Sequence, residues 1–186
     1  MTRQTVSVSI LTSPFGQVGV VLTQAGVGRV ALPPEPEQAC ADWVRRWFPD
    51  VRRLGGDPRL AQVADELLAY LAGRLKQFTV PLDLRGTPFQ LEVWRAVQAI
   101  PFGEVRTYAQ VATAIGRPSA CRAVGAANGA NPTPILIPCH RVIGSDGALT
   151  GYVGGIPLKK RLLELEGHPE HPPGTPRGHS VGQLRS

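Results

Sequence analysis

TYAQVATAIGRPSACRAVGAA, residues 107–127, is the stretch on which the fold turns. Thr107 and Gln110 have the spacing of a capping box, in which each side chain bonds a backbone N–H left free at a helix start. Tyr108, Val111, Ala112 and Ile115 then recur on one helical face, and Gly116 ends it. Arg117-Pro118-Ser119 makes a short turn, with Ser119 expected to cap a further helix from Ala120 to about Ala127. Helix, glycine-containing turn and helix predict a helix-turn-helix. Its second helix is almost all small residues, with Arg122 as its one long side chain, so it can approach another surface closely. Tight internal packing is the competing reading of the same residues.

Working outward, Thr87-Pro88-Phe89-Gln90 repeats the capping pattern, with proline at the first helical position. The helix it opens carries Val93, Trp94, Val97 and Ile100 and stops at Pro101-Phe102-Gly103. Further upstream, Val6–Ile10, Val18–Leu22 and Val27–Leu32 are short β-type runs separated by turn residues, the pattern of an antiparallel meander. Two amphipathic helical stretches follow, at Gln38–Phe48 and Pro58–Phe78. Downstream, Asn128–Pro134 reads as loop and Ile135–Ile137 as an apolar, strand-like run delivering Pro138-Cys139-His140-Arg141. A hairpin or ordered loop comes next, then a last helix over Pro157–Glu166. The expected fold class is α+β. A small N-terminal domain of antiparallel sheet and helices occupies residues 1–84, a mostly helical C-terminal domain residues 85–167, and a disordered Pro/Gly/His-rich tail residues 168–186.

The chain of 186 residues carries a formal charge of +6. From Glu104 to Arg161 seven basic residues face two acidic ones, which points to an acidic partner, nucleic acid being the commonest for a basic domain; a solvated basic face is the alternative. No run approaches the roughly 20 apolar residues that span a bilayer, and the N-terminus lacks a signal-peptide core, so a cytoplasmic protein without membrane contact is expected. Cys40, Cys121 and Cys139 have neither disulfide nor zinc spacing, and three of the four histidines lie in the tail, so no metal and no cofactor is expected. Gly26-Val27-Gly28-Arg29-Val30-Ala31 spells a dinucleotide fingerprint, but Pro33-Pro34 stands where the phosphate-binding helix would have to begin.

A cysteine after an apolar run is ordinarily a small buried hydrophobe. His140 and Arg141 follow Cys139 at once, and cationic or hydrogen-bonding neighbours favour the nucleophilic thiolate. In extended chain, adjacent side chains point to opposite faces, so His140 could serve Cys139 only if the backbone turned or a water intervened. Glu166, in register with Leu162 and Leu163 on the inward face of the last helix, is a candidate to orient the histidine. As a carboxylate in a last helical turn it also opposes the helix dipole, which a basic partner could offset; a solvated glutamate is the alternative.

The segment Asn131-Pro132-Thr133-Pro134-Ile135-Leu136-Ile137-Pro138-Cys139-His140-Arg141-Val142 resembles the active-site segment of the O6-alkylguanine-DNA alkyltransferases. The resemblance extends back through Gly103-Glu104-Val105, Thr107-Tyr108 and Arg122–Gly129, and forward through Gly151–Gly155 and Leu163–Gly167, covering about residues 86–167. It implies DNA repair by direct reversal. An alkyl group on O6 of guanine in duplex DNA would pass irreversibly to Cys139 after base flipping, one turnover per molecule, with O4-alkylthymine, adduct size and cooperativity on DNA left open. It further implies that His140 takes the thiol proton through a water, that Glu166 orients His140, and that Asn131 braces the active-site turn. Tyr108 would handle the flipped base and its 3′ phosphate, and Arg122 would fill the space the base vacates. Val142, Tyr152, Val153 and Gly154 would line the guanine pocket. Ala123 and Ala127 would lie on the helix face against DNA, with Arg106, Arg117 and the lysines near the last helix, Lys159 and Lys160, free for phosphates. The protein is expected to act as a monomer. Some relatives hold zinc in the N-terminal domain, but residues 1–84 offer only Cys40 and no histidine.

Overall fold

The computed structural model describes residues 5–53 and 56–168. β1 (Thr5–Ser13), β2 (Gly16–Thr23) and β3 (Val27–Ala31) form the antiparallel meander. Beyond α1 (Pro36–Trp47), the two-residue β4 (Arg52–Arg53) adds parallel to β1, giving the order β3-β2-β1-β4. The alternation along β2 explains why this sheet is covered on both sides. Val18, Val20 and Leu22 enter one apolar cluster, whereas Val21 enters another with Cys40, Trp43 and Val44 of α1. The Gly26–Ala31 stretch lies in the turn before β3 and in β3 itself, with no helix following directly.

α2 spans Arg59–Leu71 and stops well short of the expected Phe78. Gly73 stops it. At φ +73° the glycine adopts the left-handed conformation, its N–H bonds Tyr70 O, and the Arg74 N–H reaches back to Ala69 O, the two bonds of a Schellman motif. The apolar face of α2, with Val63, Leu67 and Tyr70, packs into the first cluster beside Ile135, Leu136, Leu158 and Leu162. One core is therefore shared across residue 84, and it fixes Tyr70 against the C-terminal half.

α3 (Pro88–Gln98) and α4 (Tyr108–Ala114) both start with the expected capping boxes: Thr87 with Gln90, and Thr107 with Gln110. α5 spans Cys121–Gly129 with Ala120 at its N-cap; Ser119 makes no capping bond, because the helix starts one residue too late for it. Val93, Trp94, Val97, Val111, Ala112, Val124 and Ala127 join α3, α4 and α5 into a second core that also holds Ile137, Cys139 and Val142. Between α3 and α4 lies β5 (Arg106–Thr107), which pairs in parallel with β6 (Val142–Ile143), and α6 (Gly155–Leu165) closes the described chain. Residues 144–154 form an ordered loop in which the Gly144 N–H bonds Ala148 O. The expected tail lies outside the described residues except for His168. No helix among the described residues is long and apolar enough to cross a membrane.

Candidate active site

The segment before Cys139 is not the expected strand. Pro134 and Ile137 bridge across a turn in which Ile135 takes φ +78°, a costly conformation for a β-branched residue that persists because its side chain is locked in the core. Prolines at 132, 134 and 138 flank the run and cannot donate, and the Ile137 N–H is used within the turn, on Thr133 O at 2.9 Å. Cys139–Arg141 then winds into one turn of 3-10 helix, with the Arg141 N–H on Pro138 O. The objection that adjacent side chains diverge in extended chain is thereby removed. Two asparagines hold this turn against the end of α5. Asn131 donates to Ile137 O at 2.9 Å, accepts from the Thr133 N–H at 3.0 Å and hydrogen-bonds the Cys139 thiol, while Asn128 donates to Cys139 O at 3.3 Å.

Behind the cysteine is a fully buried polar cluster. His140, at 0% exposure, places Nε2 2.9 Å from Glu166 Oε1 and 3.1 Å from the Tyr70 hydroxyl. Tyr70 also donates to Glu166 Oε1. Arg141 binds the same carboxylate in fork geometry, Nη2 to Oε1 and Nε to Oε2, both at 2.8 Å, and the Gly103 N–H donates to Oε2 at 3.2 Å. Glu166 is the C-cap of α6, so the basic partner that offsets the unfavourable dipole is Arg141. Among the described residues nothing meets His140 Nδ1, the ring nitrogen left to act as base.

Burial sets the protonation states. It pushes the Cys139 thiol up to about 11, against the opposing pull of Asn131 and the Lys159 charge. The sequence-based expectation of a thiolate favoured by its basic neighbours is therefore reversed in the resting protein, because the Arg141 charge is spent on Glu166. Burial likewise lowers His140, which stays neutral despite Glu166 beside it. For Glu166 burial alone would raise the carboxyl, but hydrogen bonds from His140 and Arg141 outweigh it and hold the group far below the usual range. The resting set is thus neutral thiol, neutral imidazole and carboxylate. Lys159, at 0% exposure, donates to Val142 O at 2.6 Å and Thr150 O at 2.9 Å and is lowered by burial to about 8. Nothing in the sequence reading points to Tyr70 or Asn128, to the pairing of Arg141 with Glu166, or to the burial of Lys159. The inward stripe of α6 at 158, 162, 163 and 166 could have flagged Lys159, and the apolar face of α2 could have shown Tyr70 to be buried, though not what it meets.

The other expected residues divide into two groups. Val142 is fully buried, and Tyr152 is half-buried with its ring edge-on to His140 at 6.3 Å. Gly154 allows no side chain, since a Cβ there would lie 2.4 Å from Leu158 Cδ2. Val153, next to it, is 48% exposed. The Tyr108 hydroxyl receives a hydrogen bond from Thr150 at 3.3 Å, and its ring borders Gly125 of α5. On α5 itself Arg122, Ala123 and Ala126 are exposed. Ala127 is not; it falls three residues after Val124 on the face packed against α3, where its carbonyl accepts from the Trp94 indole at 2.8 Å, so the expectation that it lies on a DNA-facing surface is corrected. Arg122 has no ion-pair or hydrogen-bond partner among the described residues. Arg106 is half-buried and Arg117 exposed, and both are paired, with Glu104 at 2.6 Å and Glu92 at 3.2 Å. No group of three or more His, Cys, Asp or Glu side chains that could hold a metal occurs among the described residues.

Comparison with known proteins adds four findings. Residues 88–168 match the model of the DNA binding domain of 6-O-methylguanine DNA methyltransferase. The chain is 49% identical over 157 residues to the methylated-DNA–protein-cysteine methyltransferase of Mycobacterium tuberculosis, covering 84% of this chain and 89% of that one. It is 45% identical over 147 residues to the inducible methylated-DNA–protein-cysteine methyltransferase of Bacillus subtilis, covering 79% and 82%. A crystal structure of Mycobacterium tuberculosis OGT in complex with DNA superposes with a TM-score of 0.73 at 41% identity, over 87% of this chain and 92% of that one.

Proposed function

Since this chain belongs to the methylated-DNA–protein-cysteine methyltransferase family, which repairs DNA by moving an alkyl group onto a protein cysteine, we propose that the acceptor here is Cys139 and the donor O6 of an alkylated guanine in duplex DNA. The observation that carries this reading is the alignment of a buried thiol, a neutral histidine with one unpartnered ring nitrogen, and a carboxylate on its other nitrogen. Glu166 keeps the proton on Nε2, so the Nδ1 lone pair takes the thiol proton through a water. The sulfur attacks the alkyl carbon, the C–O6 bond breaks and its electron pair stays on the guanine, which ends with the proton that came from the thiol. A neutral resting thiol suits a protein that must not react before DNA arrives. The thioether product cannot be reversed by any group in the site, so each molecule acts once.

An alkyl group on O6 is out of reach inside a duplex, and rotating the nucleotide out costs a few kcal/mol. Arg122, exposed and unpartnered on the small-residue face of α5, enters the minor groove and replaces the lost stacking. Ala123 and Ala126 let the helix come close, Arg106 and Arg117 trade their surface carboxylates for phosphates, and Tyr108 guides the nucleotide toward a pocket bounded by Val142, Tyr152, Val153 and Gly154. The protein works as a monomer.

The test is intact mass after mixing with a duplex bearing one O6-methylguanine, followed by peptide mapping. A single methyl-for-hydrogen replacement on Cys139, saturating at one per protein, is expected. Tight binding with no mass change would replace repair by lesion sensing.

A further inference from the structure

We infer that Tyr70, contributed by the N-terminal half of the chain, is a positioning residue of the alkyl-transfer site, its hydroxyl fixing the His140–Glu166 pair. The inference deepens the function proposed above and rests on it. Tyr70 lies on α2, before the segment that carries the motif, and its ring sits in the core cluster shared by both halves, at 0% exposure. Its packing is apolar: Phe78 at 5.1 Å and Phe102 edge-on at 6.2 Å. A phenol needed only to fill this space would do as well without its oxygen. Yet the hydroxyl donates to Glu166 Oε1 and lies 3.1 Å from His140 Nε2.

The proton inventory defines what the hydroxyl does. Burial and the Glu166 charge raise Tyr70 far above the usual phenol range, so it stays protonated and its one O–H is used on the carboxylate. Toward His140 it can then present only a lone pair. Both groups facing Nε2 are acceptors, which keeps the imidazole proton on Nε2 and the base on Nδ1, the side needed for the thiol. The donation also draws negative charge away from Glu166 Oε1, restraining how strongly Glu166 stabilises an imidazolium. A phenol on a carboxylate is a charge-assisted bond and outweighs the neutral contact to Nε2. Removing it therefore raises the pH at which His140 titrates. The groups acting on His140 are Glu166, Arg141, Lys159, Tyr152 and Cys139, and of these only Glu166 and Arg141 share partners with Tyr70 in a way the substitution would change.

The experiment compares the full-length chain with its Tyr70→Phe variant, and with Leu67→Ala as a control that loosens the same face of α2 without touching the polar cluster. Two measurements are made: ¹⁵N shifts of the His140 ring across pH, and the single-turnover rate of methyl transfer from an O6-methylguanine duplex. In Tyr70→Phe the His140 midpoint moves up by about half a pH unit or more and the rate near neutral pH falls roughly tenfold, with DNA affinity unchanged. Leu67→Ala lowers stability but keeps the parent midpoint and rate. An unaltered ring titration in Tyr70→Phe, or the same shift and slowing in Leu67→Ala, would overturn the inference. If the parent protein transfers no methyl group, the functional reading fails by itself, while the ring titration still decides whether Tyr70 controls His140.

Discussion

Arg141 and Arg122 lie 19 residues apart and have opposite fates. Arg141 is buried beside Cys139, gives Nε and Nη2 to Glu166 and Nη1 to Ile100 O, and is held inside the protein by those bonds. Arg122 stands exposed on α5 with no partner among the described residues. The first charge is a structural element that sets the electrostatics of a closed site. The second is left free at the surface, where the proposed function has it meet DNA. Residue type and local basic context are the same for both, so burial and partner, and not the charge itself, determine the role.

The comparison breaks most sharply at the cysteine between these two regions. Cys139→Ser is expected to abolish transfer in a mass assay while duplex binding, measured by anisotropy, stays nearly intact, because the DNA face does not depend on the sulfur. Arg141→Ala comes next: it leaves Glu166 buried without its main counter-charge and should reduce stability by about 3–5 kcal/mol in denaturant unfolding, with transfer lost as well. Arg122→Ala should do the converse, leaving the unfolding midpoint within about 0.5 kcal/mol of the parent while slowing single-turnover transfer by roughly one to two powers of ten, since nothing then holds the flipped-out state. Equal damage to stability from both arginines would end the contrast.

Acid provides a subtler probe. Glu166 is depressed in the fold, so its contribution is complete above the ordinary glutamate range and is lost as pH falls toward its folded value. His140 is depressed too, so below about pH 6.5 the unfolded chain takes up a proton that the folded one refuses, again destabilising the fold. Both act in one direction, and urea midpoints should drop by the equivalent of about 1–3 kcal/mol between pH 7 and 4. His140→Gln should remove the upper part of that fall. The smallest effect is expected at the surface pair Arg117–Glu92, where Glu92→Ala changes stability by less than about 0.5 kcal/mol and Arg117→Ala mainly lowers the salt dependence of DNA binding by about one unit of slope.

Local rules read from the chain were sound where the interaction is itself local. The boxes at Thr87/Gln90 and Thr107/Gln110, the glycine and proline stops of the helices after them, and the short β-type runs of β1 to β3 involve groups within a few residues, and each is present. The same rules failed locally at two helix ends, at Ser119, which makes no capping bond, and at Gly73, and elsewhere where a longer-range fact took over. The helix expected to reach Phe78 ends at Leu71 because Gly73 caps it, a signal visible in the letters and passed over. The strand expected at Ile135–Ile137 is a turn because the Ile137 N–H closes back on Thr133 O and the core holds Ile135 in a strained backbone conformation. Ala127 was assigned to the wrong side of α5 because small residues give no periodic contrast from which to choose a face.

By itself the sequence determined the helix-turn-helix, the meander and, through its resemblance to a family, the candidacy of Cys139, His140 and Glu166, since helix periodicity, capping and a dense local motif are all written within short spans. Only the tertiary structure decided that the thiol rests neutral, that Arg141 and not the solvent neutralises Glu166, and that Tyr70, 96 residues from Glu166, completes the cluster. The reason is physical: a protonation state depends on desolvation and on every charge nearby, and those neighbours come from segments that only folding brings together.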